Sequence, residues 1–290
     1  MLDTLTFGFL GGGNMASALI GGLIARGVPA ASIRVVDPFA EARERLARVF
    51  GVQTLEAPDA AFGGSDVLVL AIKPQQFHEA AAQLAPQMAA RQGGGGLVIS
   101  VAAGIRLEDM QRWFGGHARL VRAMPNTPAL AGMGMTGLAA VAGLSAQDRD
   151  IATAVAEAVG QCIWVEGDAQ IDAVTAISGS GPAYVFYFIE AMERAATELG
   201  LTAEQGRKLA VQTFRGAASL ADQSTEPVAT LRERVTSKGG TTYAALTTMD
   251  AGGIADVFVR AMHAAAARGK EMGAEFGRAQ SADENKAGNP

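Results

Sequence analysis

Apolar positions follow two rhythms along this chain, and the change between them falls near residue 166. Before it, short apolar runs rich in Val, Ile and Leu alternate with stretches where apolar residues return every three or four positions. Thr6–Leu10, Ile33–Val36, Val67–Ile72, Leu97–Val101 and Leu120–Ala123 read as buried strands. Met15–Arg26, Phe39–Phe50, Phe77–Ala90 and Leu107–Phe114 read as the helices between them. A last strand pair, Met135–Val141 and Cys162–Val165, brackets a helix over Ala146–Val159. Such alternation implies right-handed crossovers and a doubly wound, mostly parallel α/β sheet.

After Glu166 only the helical rhythm remains, over Ile171–Ile177, Ala183–Leu199, Ala203–Ala221, Pro227–Val235, Thr241–Met249 and Ile254–Phe276. The expected division is an α/β domain over 1–166, an all-helical domain over 167–278 and a polar tail over 279–290. Tyr184, Val185, Phe186, Phe188, Ile189 and Met192 leave little polar surface on the first turns of their helix. A helix apolar on several faces must be covered. The pattern favours a second copy of the chain as the cover, over burial between the two domains.

Composition narrows the function classes. The chain has 290 residues, 49% of them apolar and 18% charged, enough for a filled core. A net charge of −5 offers no footprint for nucleic acid. The most apolar window, Ala129–Leu144, is too short and too rich in Gly to span a membrane. Asp3 and the lack of basic residues ahead of the first apolar run do not read as a secretory signal. Cys162 is the sole cysteine, so no internal disulfide and no cysteine-built metal site is expected, and no metal is assigned. A cytoplasmic protein fits these readings.

The first chemistry-bearing segment is Gly8-Phe9-Leu10-Gly11-Gly12-Gly13-Asn14-Met15-Ala16. It follows a strand and opens a helix, the context in which glycines let backbone N–H groups approach a pyrophosphate. This makes the first domain a Rossmann dinucleotide-binding unit, with Gly11, Gly12, Gly13, Asn14 and Met15 at the cofactor. Asp37 ends the second strand, where an acid would accept the ribose 2′-hydroxyl and favour NAD over NADP. Arg43 and Arg45 follow closely and offer positive charge if Asp37 turns away, so the residues leave that choice open.

Further loops lie where strands end and should border the cofactor: Ala71-Ile72-Lys73-Pro74, then Ala102-Ala103-Gly104, then Met124-Pro125-Asn126-Thr127-Pro128. Small residues at 102–104 admit a flat ring, and Pro125 and Pro128 stiffen the loop presenting Asn126, a candidate substrate contact. A small-residue turn, Ser178–Tyr184, precedes a long helix. Val235–Tyr243 joins hydroxyls, flexible backbone and a helix N-terminus, a combination suited to a carboxylate. Ordinary helix capping would need one hydroxyl, and this segment carries four on Ser and Thr.

Taken together, G-F-L-G-G-G-N-M-A, A-I-K-P, V-A-A-G, M-P-N-T-P, S-G-S-G-P-A-Y and V-T-S-K-G-G-T-T resemble the pyrroline-5-carboxylate reductases, over nearly the whole chain except the tail. The resemblance implies a helical dimerisation domain, a homodimer often built into rings of dimers, and no nucleic-acid or membrane partner. It implies hydride transfer from NADPH, with NADH as the alternative, to the C=N bond of a cyclic imine acid in the last step of proline synthesis. It carries Ser237, Gly240, Thr241 and Thr242 over as contacts to the substrate carboxylate and ring nitrogen. Lys238 departs from the usual proline and is expected in solvent. The run 227–235 is one residue longer than usual, so nothing is carried over from it.

A protonated imine is already electrophilic, so orientation matters more than a strong acid. Thr242 is the candidate catalytic group, orienting the ring nitrogen, since a threonine hydroxyl is a poor general acid near neutrality. His78, His117 and His263 read as packing or surface residues. A β-hydroxyacid dehydrogenase would share the domain plan but want a lysine on an early helix of the second domain, and Tyr184–Glu198 has none. A non-catalytic cofactor-binding regulator would have little use for Ser237–Thr242.

Overall fold

The computed structural model describes residues 2–91 and 95–287, with side chains through 277. Its first elements are β1 (Phe7–Leu10), α1 (Asn14–Ala25), β2 (Ile33–Val36), α2 (Ala40–Phe50), β3 (Gln53–Leu55), α3 (Ala60–Gly63) and β4 (Val67–Leu70). There follow α4 (Phe77–Ala89), β5 (Leu97–Ser100), α5 (Leu107–Trp113), β6 (Leu120–Met124), β7 (Gly134–Ala140), α6 (Ala146–Glu157) and β8 (Gly160–Trp164).

The eight strands form one sheet in the order β3-β2-β1-β4-β5-β6-β7-β8. Pairing is parallel from β3 through β6, antiparallel between β6 and β7, and parallel again between β7 and β8. The α/β Rossmann-type sheet read from the apolar runs is therefore present. Because side chains alternate between faces, each strand feeds two cores. Phe7, Phe9, Val67, Val69, Leu97 and Ile99 pack with Leu19 and Ile20 of α1 and Val155 of α6. Leu68, Leu70, Val98 and Leu120 pack with Phe77 and Leu84 of α4 and Met110 of α5. Each such side chain removed from water contributes about 1.5–3 kcal/mol before entropy is counted.

Two short elements were not expected from the pattern, β3 and α3. Gln53-Thr54-Leu55 is an edge strand of three residues, too short for a period to register. α3 is one turn, capped by Asp59, whose carboxylate accepts from the Phe62 N–H at 2.7 Å. The strands expected over Val67–Ile72 and Leu97–Val101 stop at Leu70 and Ser100, releasing the ends as loops.

The helical part comprises α7 (Gly167–Val174), which passes into a π turn over Thr175–Gly179, then α8 (Gly181–Glu198), α9 (Ala203–Gln223), α10 (Val228–Arg234), α11 (Thr241–Ala251) and α12 (Ile254–Ala287). The polar segment expected as a tail over 279–290 coincides with the end of α12, and its last three residues lie outside the described ones.

The chain divides into two compact units, one of Met1–Ser180 with Ala265–Pro290 and the other of Gly181–Ala264. In the first, Arg122 of β6 is buried and pairs with Asp168 at 2.5 Å and Asp172 at 3.4 Å. Asp168 also accepts the Leu107 N–H at 3.1 Å, so α7 is tied to the sheet and to the start of α5. In the second, Tyr184 and Phe188 of α8 lie against Phe258 of α12, with ring centres 5.8 and 6.0 Å apart. Thr202 and Gln205 form a reciprocal capping box at the start of α9. Among the described residues of this unit only Gly206, Ala210 and Met262 are buried. Phe186 and Tyr187 are 59% and 69% exposed.

Candidate active site

The glycine turn is pinned between strand ends. Gly11 donates its N–H to Val36 O at 2.8 Å, and its φ is +93°. A Cβ there would lie 2.5 Å from Ala71 O, so only glycine lets β1 pass this close to the end of β4. Gly13 precedes α1 in extended conformation, and no side chain caps that helix. A Cβ on Gly13 would meet nothing within 4 Å, so the space before the helix is open. The first N–H groups of α1 lack intrahelical partners and carry the positive end of the helix dipole. Open space in front of unsatisfied donors is what a pyrophosphate requires, and these residues fit a dinucleotide.

Beside the turn lies a hollow bordered by Gly11, Gly13, Asp37, Ala71, Ile72 and Lys73. The structure thus brings cofactor residues expected from three separate stretches of sequence to one hollow. Pro74 opens a 3₁₀ turn directly after Lys73. Asp37 is buried, its carboxylate accepting from the Gly12 and Phe39 N–H groups at 2.7 and 2.8 Å. Ala57 and Pro58 also border the hollow, and the sequence reading missed them. They follow β3, the strand that the pattern did not reveal, and the Pro58-Asp59 pair was the one signal of a turn there. Of the remaining expected residues, Ala102 is buried with its N–H bonded to Ser100 Oγ at 3.2 Å, and Ala103 is half-buried. Gly104 has φ +77° and faces the Phe276 ring, where a Cβ would stand 2.9 Å from a ring carbon.

Asn126 has a different neighbourhood. Its Oδ1 accepts the Met135 N–H at 2.9 Å, and its Nδ2 donates to Ser178 O at 3.1 Å. The amide therefore holds the π turn over Thr175–Gly179, a helix irregularity of the kind found at functional sites.

In the second unit, Gly239 has φ +76° and Gly240 donates its N–H to Ser237 O at 3.0 Å, which turns the chain into α11. Gly240 is the N-cap residue and no side chain caps the helix. Thr236 spends its hydroxyl on Arg232 O at 2.6 Å, whereas Ser237, Thr241 and Thr242 do not spend theirs on capping. Uncapped N–H groups with adjacent hydroxyls suit a carboxylate. Thr242 is half-buried; Ser237, Lys238 and Thr241 are exposed.

The histidines lie elsewhere. His78 sits edge-on to Trp113, His117 Nε2 is 2.9 Å from Gly96 O, and His263 is exposed on α12. Burial lowers the His117 pKa, against the hydrogen bond to Gly96.

Comparison with known proteins decides the family. Residues 168–272 match the family model described as pyrroline-5-carboxylate reductase dimerisation, and residues 6–104 match that described as NADP oxidoreductase, coenzyme F420-dependent. A pyrroline-5-carboxylate reductase of Pseudomonas aeruginosa is 44% identical over 95% of this chain and 100% of its own length. The chain belongs to the pyrroline-5-carboxylate reductase family.

Other members are the reductase of Glycine max, 36% identical over 93% of this chain and 97% of that one, and a solved reductase from Coxiella burnetii. The latter is 38% identical, with a TM-score of 0.87 over 93% of this chain and 99% of that one. A Plasmodium falciparum pyrroline carboxylate reductase solved with NADP bound superposes with a TM-score of 0.82 at 25% identity, over 94% of this chain and 100% of that one. Pyrroline-5-carboxylate reductases are NAD(P)-dependent oxidoreductases, and the matched dimerisation region indicates self-association. No helix among the described residues is long and apolar enough to cross a membrane.

Proposed function

We propose that this chain reduces 1-pyrroline-5-carboxylate to L-proline, the last step of proline biosynthesis. A dinucleotide held at the glycine turn, NADPH or NADH, would supply a hydride to the C=N carbon, while the ring nitrogen would keep or gain one proton. Gly13, Asn14 and Met15 offer the pyrophosphate their backbone N–H groups at the start of α1, while Gly11 and Gly12, whose N–H groups go to Val36 O and Asp37, shape the turn beside it. Asp37 holds the adenosine ribose, and Ala71, Ile72, Lys73, Pro74, Ala102, Ala103 and Gly104 border the nicotinamide side.

The acceptor is held by the second unit. Ser237, Gly240 and Thr241 bind its carboxylate at the start of α11, and Thr242 Oγ1 orients the ring nitrogen. Asn126 is assigned to the substrate contacts as well. The observation that carries the reading is the α11 N-terminus, which has no side-chain cap and keeps the Thr241 and Thr242 hydroxyls free of that task.

The same proposal takes 1–166 as the dinucleotide domain and 167–278 as the substrate and dimerisation domain, and the family match over 168–272 supports that boundary. It places the protein in the cytoplasm as a homodimer, of a kind that members of the family often build into rings of dimers, without nucleic-acid or membrane partners. The test is oxidation of NADPH or NADH on adding pyrroline-5-carboxylate, with L-proline identified as product. No turnover with either cofactor overturns the reading.

A further inference from the structure

Resting on the reductase reading, we infer that Asp37 tells the two dinucleotides apart and that this chain favours NADH over NADPH. The two cofactors differ only at the adenosine 2′-position, a hydroxyl in one and a phosphate dianion in the other. Asp37 directly follows β2 beside the glycine turn, where that ribose would lie. Its carboxylate is fixed, Oδ2 accepting the Gly12 N–H at 2.7 Å and Oδ1 the Phe39 N–H at 2.8 Å. Asp37 is only 8% exposed, so the group does not swing aside. Each oxygen retains acceptor capacity, which a ribose hydroxyl can use and a phosphate cannot.

The two arginines next in sequence do not neutralise it. Arg43 Nη1 donates to the carbonyl oxygens of Asp37 and Pro38 at 2.8 and 2.9 Å, and its Nη2 lies 3.7 Å from Glu56. Arg45 Nη2 donates to Gly12 O at 2.7 Å, and its Nε is shut off from solvent. Charge along the walls points the same way. On the α2 side, Asp37, Glu41 and Glu44 stand against Arg45 and Arg48. On the β4 side, Asp37, Glu56 and Glu79 stand against Lys73. With Glu56 answered by Arg43, each hollow still keeps a surplus of negative charge. A 2′-phosphate would bring its dianion beside a carboxylate that cannot withdraw, whereas a 2′-hydroxyl would meet a preformed acceptor.

The experiment is direct binding of NADH and of NADPH to the full chain, followed by the fluorescence of the reduced nicotinamide, without imine. The dissociation constant for NADH should be lower by about tenfold or more, given the strength of like-charge repulsion at short range. Equal or tighter binding of NADPH overturns the inference while leaving the reductase reading intact. Binding of neither overturns both. Asp37→Ser and Asp37→Asn remove the charge, and Asn keeps an acceptor for the glycine turn. In whichever variant retains the native circular dichroism spectrum, the preference should shift toward NADPH by about tenfold. An unchanged ratio in a folded variant assigns selectivity elsewhere.

Discussion

Asn126 and Ser178 are 52 positions apart in sequence, yet the Asn126 amide donates to the Ser178 carbonyl at 3.1 Å and to its hydroxyl at 3.3 Å. The loop between β6 and β7 is thereby locked to the π turn that ends α7. Asn126→Asp replaces the donor with a carboxylate facing a carbonyl oxygen. The variant should lose about 1–3 kcal/mol of stability. Its KM for the imine should rise while its affinity for the reduced dinucleotide holds. Steady-state kinetics beside a cofactor titration checks this, and a weakened cofactor affinity with unchanged KM would contradict it.

Thr242→Ala removes the hydroxyl assigned to the ring nitrogen. Loss of one orienting hydrogen bond to a charged group should lower kcat/KM by about tenfold. Binding of the dinucleotide, measured by titration, should be unaltered. Wild-type turnover in the variant would remove Thr242 from the mechanism.

Arg122 is 3% exposed between the carboxylates of Asp168 and Asp172. Arg122→Met leaves two acids facing a buried gap without a cation, and breaking such a pair costs about 3–5 kcal/mol. The urea midpoint at neutral pH should fall accordingly, with partial recovery in Arg122→Lys. A midpoint within error of wild type would show that α7 is held by other contacts.

Acid should loosen the sheet near the starts of β5 and β6. Burial alone would raise the Asp148 pKa, but the Arg119 guanidinium, donating at 2.7 and 3.0 Å, overcomes it and holds the carboxyl below its usual range. A carboxylate whose folded pKa is depressed contributes stability above its unfolded pKa and loses it as pH falls through the folded one. His117 adds to this, since burial depresses its pKa and protonation then favours the unfolded chain. Asp148→Asn should therefore be destabilised near neutrality, and less of its stability should vanish on acidification. Urea midpoints across pH for wild type and variant provide the comparison; parallel curves would argue against it.

Most of the sheet was legible because fully buried parallel strands, such as Val67–Leu70, show as continuous apolar runs. The glycine turn was legible because the steric demand at Gly11 admits one residue type. β3 was hidden because three residues, one exposed and two half-buried, carry no period, and with it went Ala57 and Pro58. The destinations of Arg43 and Arg45 were hidden for another reason. Whether a guanidinium meets a carboxylate or a backbone carbonyl depends on the approach of Gly12 to Asp37, which no local pattern encodes. Asn126 was picked out as a polar residue in a stiff loop, but its tie to Ser178 exists only once β7 and α7 have closed around it.

A unit of 84 residues, Gly181–Ala264, that buries only Gly206, Ala210 and Met262 has almost no interior of its own. Its apolar area leaves water only when another surface covers it, so folding and association share one free energy. Mass action then makes its stability a function of protein concentration. Dilution should lower the thermal midpoint and should melt α8 and α9 before the sheet, so that the protein loses its grip on the imine while it can still hold the dinucleotide.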